Sequence, residues 1–361
     1  MLCAAWPHVR GDLASTRRDA EVFLDDLESK PGTFGQRSWG ARWADIGEAH
    51  RLVGDLNLKN GAFSEAVEAW LCALTAFEVA KRLFHGSDLA REDVLAKVEG
   101  SLQQFGTLEQ KLEQVRILCD DQIELPALYF LAGPHHSTPA VICISREDET
   151  AAALLGRLLP VVVNRAISVL VVSHDDIPDR WRGESNFLLS CCLDFLSLRP
   201  EIDATRIGVY GDGLCAALAT SFAASDRRIS AAVCDGGLWN WGRNLASIRW
   251  LTGTASQIDG EVELAARSSL VRQLRCPILV VAGGEGTVSV PEALNLRADC
   301  AAACIDLELL LPRTTRTPAG DIENFVTSDD CIFGWLERKL TGQSVCSSLS
   351  LKHASAAGSL L

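Results

Sequence analysis

The run Gly211-Asp212-Gly213-Leu214-Cys215-Ala216 follows the apolar segment RIGVY and opens a helix-forming one, AALATSFAAS. A strand, a glycine turn and a helix are therefore expected in sequence, and two chemistries use a turn of this spacing. In the first, Gly211, Gly213 and Ala216 satisfy G-x-G-x-x-A. Such a turn holds a dinucleotide pyrophosphate on backbone N–H groups, and Asp235, at the end of the next apolar run, is in place for a ribose hydroxyl. In the second, the turn is an elbow of the form G-x-S-x-G that lifts a serine hydroxyl to an exposed apex. Here Gly213 stands in the serine place and Cys215 in that of the second glycine. Without the hydroxyl, two residues remain as nucleophiles, the Asp212 carboxylate and the Cys215 thiol. Each has a plainer reading: Asp212 as a carboxylate accepting N–H groups at a helix start, Cys215 as a small buried hydrophobe.

A base is scarce. The histidines are at 8, 50, 85, 135, 136, 174 and 353, and only His174 lies beside carboxylates, in SHDDIPDRWRGES with Asp175, Asp176 and Arg180. This cluster reads as an acid/base group or as a surface loop. Ser145, Arg146, Glu147 and Asp148 follow the strand-like AVICI, and Arg146 there suits an anion or carboxylate. All of these residues fall after apolar runs, at the strand ends where open α/β sheets place ligands.

The elements that must hold them are legible in outline. PAVICIS, ISVLVVS, RIGVYG, ISAAVCD, CPILVVAGG and CIDLELLLP are uniformly apolar and alternate with helical runs such as TAAALLGRLLPVVVNR, which predicts a mostly parallel sheet covered on both faces. Before residue 130 the period is helical. Phe63, Val67, Trp70, Leu74 and Phe77 form one apolar stripe, and DLAREDVLAKVEGSLQQFGTLEQKLEQV continues the same period. The expected division is a helical N-terminal or cap region at 1–115, an α/β domain at 116–340 and a loose tail at 341–361.

Composition narrows the partners. A net charge of -13 at pH 7 argues against nucleic acid and anionic membrane. The opening residues predict no leader and no run predicts a membrane span, so the expected location is the cytoplasm. Thirteen cysteines, scattered mostly through apolar runs, read as buried reduced thiols, with neither a zinc pattern nor another cofactor site expected.

The run LDFLSLRPEIDATRIGVYGDGLCAALATSFAASDRRISAAV resembles the α/β-hydrolase superfamily, in the branch of FrsA-like proteins, 2,6-dihydroxypseudooxynicotine hydrolase and polyketide-shortening hydrolases. The matching positions are Arg199, Pro200, Asp203, Arg206, Ile207, Gly208 and Gly211. The resemblance extends to GAFSEAVEAWLCALTAFEVAKRLF and to QVRILCDDQIELPALYFLAGP. It implies the α/β-hydrolase fold with a helical region near the mouth of the site, and a homodimer.

The chemistry does not follow. The resemblance puts Gly213 in the serine place and Gly286, beside Glu285, in the acid place, with no histidine after the last strand except His353 in the tail. Two function classes stay open: a pseudoenzyme that binds a ligand or regulates, and a lyase, cyclase or hydrolase working without serine on a polyketide-like or aromatic substrate. Dinucleotide binding is a third. The pocket residues expected are Gly211, Asp212, Gly213, Leu214, Cys215, Ser145, Arg146 and Glu285.

Overall fold

The computed structural model describes residues 11–29, 33–84, 89–109, 111–120, 123–133, 137–177, 182–236, 273–282, 290–302, 304–317 and 320–342. Four helices come first: α1 Leu13–Asp25, α2 Thr33–Lys59, α3 Phe63–Leu83 and α4 Leu89–Glu109. Helix α1 starts where the Asp12 carboxylate accepts the Ser15 N–H at 2.7 Å, satisfying one of the orphan donors of its first turn.

An eight-stranded sheet follows: β1 Leu112–Asp120, β2 Ile123–Phe130, β3 Thr138–Ile144, β4 Ser168–Val172, β5 Ile202–Asp212, β6 Ile229–Asp235, β7 Ile278–Val281 and β8 Leu307–Leu310. Its spatial order is β1-β2-β4-β3-β5-β6-β7-β8. Strands β3 to β8 run parallel, while β2 is antiparallel to both β1 and β4. Between the strands run α5 Ala151–Val162, α6 Arg182–Ser197, α7 Cys215–Ser225 and α8 Val290–Ala302. A two-stranded hairpin, β9 Thr314–Thr317 with β10 Gly320–Glu323, leads into α9 Phe325–Thr341.

The pleat sorts side chains into two cores. Val141, Cys143, Val169, Val171, Tyr210 and Val233 face one way, into a core shared with the N-terminal helices, α5 and α9. Ala140, Ile142, Leu170, Val172, Val209 and Cys234 face the other, against α6, α7 and α8. Continuous apolar strands follow from this double burial, since neither face meets water.

The structure departs from the sequence reading in three places. KLEQV is not helical: α4 stops at Glu109 and Leu112 begins β1, where Val115 and Ile117 alternate against β2 instead of extending a helix face. Phe63, first of the apolar stripe, is 55% exposed, because it opens α3 beyond the point where α2 covers that helix. Trp70, Leu74 and Phe77 are buried and Val67 is partly so. Trp70 and Phe77 press on α2 at Gly54 and Gly47, and Leu74 meets Gly156 of α5. The stripe thus packs helix on helix. It is the last turn of α3, through Lys81 and its 2.7 Å contact with Glu149, that reaches the carboxyl end of β3. The third departure concerns Asp235.

Candidate functional site

The strand order reverses at β3: β4 lies on one side and β5 on the other, so α5 and α6 leave in opposite directions. A crevice opens at such a switch point, at the carboxyl ends of the strands. The residues there are Ser145 to Glu149 after β3, His174 after β4, and Asp212 to Cys215 after β5.

The turn after β5 has the elbow geometry. Gly213 sits at φ +62°, its N–H donates to the Asp235 carbonyl at 2.8 Å, and α7 begins two residues later. Gly211 is required by close approach, because a Cβ there would lie 2.2 Å from the Cys215 carbonyl oxygen. At the apex, a Cβ on Gly213 would lie 3.3 Å from Arg146 Cδ and 3.6 Å from Glu147 Oε2. The methylene stem of Arg146 therefore lies over the elbow, while its Nε pairs with Asp148 at 3.4 Å. Leu214 is exposed beside it. Cys215 is fully buried and its thiol donates to the Ser145 carbonyl at 3.0 Å, holding the two loops together.

Ser145 ties the neighbouring strand ends. Its Oγ donates to the Glu149 carbonyl at 2.7 Å and accepts the His174 N–H at 3.2 Å. His174 Nδ1 lies 3.5 Å from Asp175 Oδ1, outside hydrogen-bond geometry, and among the described residues neither it nor Glu147 Oε1 has a hydrogen-bond partner although both atoms are buried.

Below the apex lies a buried charge network. The guanidinium of Arg157, on α5, donates from Nη1 to Asp212 Oδ2 at 2.9 Å and from Nη2 to the Tyr210 hydroxyl, and its Nε stands 3.5 Å from Asp329 Oδ2 on α9. Tyr210 in turn donates to Asp235 Oδ2 at 3.0 Å. Burial, reinforced by the charge of Asp212, pushes the Asp235 carboxyl well above the ordinary range. Burial also raises Asp329 to about 7, even with Arg157, Arg82 and Arg17 opposing it. A second group, Glu78, Lys81 and Arg82 of α3 with Glu149, adjoins the first. Burial works against ionisation of Glu149, yet Lys81 and Arg157 hold it down to about 2.

Asp212 is thus fastened from below by Arg157, and the Asp235 carboxylate faces Tyr210 inside the network, not a ribose at the sheet edge. That is the correction to the dinucleotide reading, whose acidic partner is spent on the protein itself. Glu285, Gly286, Arg180 and histidines 8, 85, 135, 136 and 353 lie outside the described residues. His50 is described and is buried on α2. The sequence reading missed Arg157, Tyr210, Asp329, Glu78 and the apex role of Glu147. The available signal was a lone arginine in ALLGRLLPVV and a glutamate in LTAFEVAKRL, charges that an apolar helix face buries only with partners.

No metal-binding cluster is present among the described residues, and no described helix is long and apolar enough to cross a membrane. No family model matches the chain, and no curated protein matches it. Among solved structures it is similar to 2,6-dihydroxy-pseudo-oxynicotine hydrolase, with a TM-score of 0.60 and 16% identity over 92% of this chain and 98% of the other. A Mycobacterium tuberculosis puromycin-hydrolyzing peptidase matches over 63% of this chain and 39% of its own, with a TM-score of 0.51 and 13% identity. The eight-stranded, mostly parallel sheet flanked by helices is the α/β-hydrolase fold of these proteins.

Proposed function

We propose that this α/β-hydrolase-like chain is a non-hydrolytic pseudoenzyme that binds a small ligand or regulates a partner through the crevice at Gly213. One observation carries the reading: the apex keeps the elbow's positive φ but presents no nucleophile, and a carboxylate stands where the serine's chemistry would occur. A tetrahedral oxyanion formed there would lie beside Glu147 Oε2. Like charges about 4 Å apart near a protein surface repel by about 4 kcal/mol, the opposite of what an oxyanion hole supplies. The sequence adds Gly286 in the acid place and no histidine after β8 apart from His353. The proposed organisation keeps an N-terminal region at 1–115, helical to Glu109 and entering β1 at Leu112, an α/β domain at 116–340 and a tail at 341–361. Exposed Leu52, Val53 and Leu56 on α2 support association of two copies, which sedimentation of the full chain would test.

A fluorophosphonate probe should leave residues 211–215 unlabelled, and activated esters should be hydrolysed no faster than by buffer. Gly213→Ser should fold, with a loss of about 1–3 kcal/mol for a side chain at positive φ pressed on the Arg146 stem, and should gain no esterase activity. Labelling of the wild type, or turnover by the serine variant, would overturn the reading.

The alternative is serine-free lyase or cyclase chemistry, favoured by the two buried atoms without partners, His174 Nδ1 and Glu147 Oε1. Native mass spectrometry of the purified chain separates the two readings when a bound molecule is identified and then incubated: a substrate is converted, a ligand returns unchanged. If it is converted, loss of turnover in His174→Gln or Glu147→Gln would place the chemistry on these groups.

A further inference from the structure

The cysteines differ in exposure. Among the described residues Cys304 and Cys331 are exposed, Cys119 and Cys191 are half-buried and the others are buried. The half-buried two, 72 positions apart, meet at the rim of the core under α6. Cys119 follows Ile117 on the same face of β1, and Cys191 lies one turn before Phe195 of α6, whose ring packs edge-on against Tyr129 of β2 at 6.0 Å. The surface of α6 that carries Cys191 is thereby laid on the β1–β2 hairpin, which forms one edge of the sheet.

Both thiols hang on the same stretch of backbone. Cys191 Sγ donates to the Cys119 carbonyl at 3.7 Å, and Cys119 Sγ donates to the Ile117 carbonyl at 3.6 Å. A thiol is a weak donor, so these bonds are easily given up. Burial, and after it the adjoining Cys191 thiol, raise the Cys119 thiol to about 12, as expected where two sulfurs face each other. The backbone at Cys119 can also shift. Leu118 pairs with Glu124 and Asp120 with Ile123, so Cys119 between them has no partner on β2. Such a bulge residue stands outside the ladder, and a movement that brings the sulfurs to the bonded distance of about 2.05 Å breaks no strand pair.

We propose that Cys119 and Cys191 are a redox-active pair, which closes to a disulfide by exchange with a low-molecular-weight disulfide such as oxidised glutathione and so fastens the edge hairpin to α6. The thiolate of one cysteine attacks a sulfur of oxidised glutathione, breaking its S–S bond and releasing one glutathione thiolate. The thiolate of the other cysteine then attacks the protein sulfur of the mixed disulfide and releases the second. Two cysteine thiols are oxidised, one glutathione disulfide is reduced to two thiols, and the two protons lost by the cysteines pass to the departing thiolates. The bond encloses β2, β3, α5 and β4 in one covalent ring, together with Ser145 and His174. Oxidation therefore restrains the segment that carries two of the loops beside Gly213, whatever the crevice binds.

The test equilibrates the full chain, at low concentration, in buffers of fixed total glutathione and graded redox ratio, blocks the remaining thiols and maps linked peptides by mass spectrometry without reduction. A peptide joining Cys119 to Cys191 is expected, and it should vanish on treatment with dithiothreitol. Because closure is intramolecular, the bridge should persist at a reduced-to-oxidised ratio at least about tenfold above that at which Cys304 and Cys331 shed their mixed disulfides. Cys119→Ser and Cys191→Ser should each abolish it, while Cys192→Ala, at the buried neighbour, should leave it intact. Glutathione on both cysteines without a bridge, a bridge from either one to Cys192, or no change at either in the most oxidising buffer would each overturn the pairing.

Discussion

The two faces of the sheet are built from the same strands and differ in what they bury. Behind α6, α7 and α8 the core is Leu, Ile, Val, Ala, Cys and Phe with one tyrosine, Tyr129, and its buried polar atoms are hydroxyls such as those of Thr220 and Tyr129. Behind α3, α5 and α9 the core also holds Glu78, Lys81, Arg157, Asp212, Asp235 and Asp329. Alternate residues of one strand serve both environments: Val209 faces the dry side, while Tyr210 and Asp212 face the charged one. Desolvating an ion costs several kcal/mol, which pairing offsets only when geometry is good and all groups are satisfied. The charged face therefore gains little stability over hydrocarbon. What it adds is fixed position, and it adds it directly beneath the elbow.

Removing the central cation should break this arrangement most severely. Arg157→Leu strands Asp212 and Asp329 without their shared partner, and chemical denaturation should show a loss of about 3–5 kcal/mol. On the dry face, Leu189→Ala should cost about 2–5 kcal/mol through a cavity alone, with a cost that stays constant across pH. If both losses were independent of pH, the charged face would be no different in kind from the other.

The pH profile sharpens the distinction. Asp329 is raised from its ordinary 3.8 to about 7, so its protonated form is favoured by folding. That contribution is complete below about pH 4 and is lost as pH rises through 7. Glu149, lowered to about 2, contributes in the opposite sense: its stabilisation is present above the ordinary 4.5 and disappears as pH falls through 2. Asp329→Asn should flatten the slope between pH 4 and 7 and leave the acid limb intact, as read from unfolding free energies measured across that range. The smallest effect belongs to the outer surface: Phe63→Ser should change stability by no more than about 0.5 kcal/mol.

These contrasts also mark what could be read without coordinates. Strands β3 to β6 were legible because double burial leaves long apolar runs, and α5 and α7 because their apolar residues recur at helical spacing. The β1 strand was hidden in KLEQV, whose leucine and valine suit a helix as well as a strand until β2 is present to pair with them. Hairpin β9–β10 was hidden in TTRTPAGD, a run with no apolar alternation. The elbow was visible at Gly211 and Gly213, since its glycines are a local requirement of the turn. Its support was not, because Arg157 finds Asp212 across 55 positions of chain and no local pattern encodes that meeting.

Helix α1 has a consequence for how the protein is made. Its anchors come from the far end of the chain: Thr315 donates to the Leu24 carbonyl, Asn324 to the Glu21 carbonyl and to Asp25, Arg313 pairs with Asp25, and Arg17 reaches the Val326 carbonyl. Such contacts span nearly the whole sequence, and loop closure of that length slows folding. During synthesis α1 can pack at once on α2 and α3, where Phe23 meets Trp39 and Trp43, but the polar groups it offers to β9 and α9 stay unpaired until those elements emerge. A growing chain halted before β9 would leave it clasped on one side only.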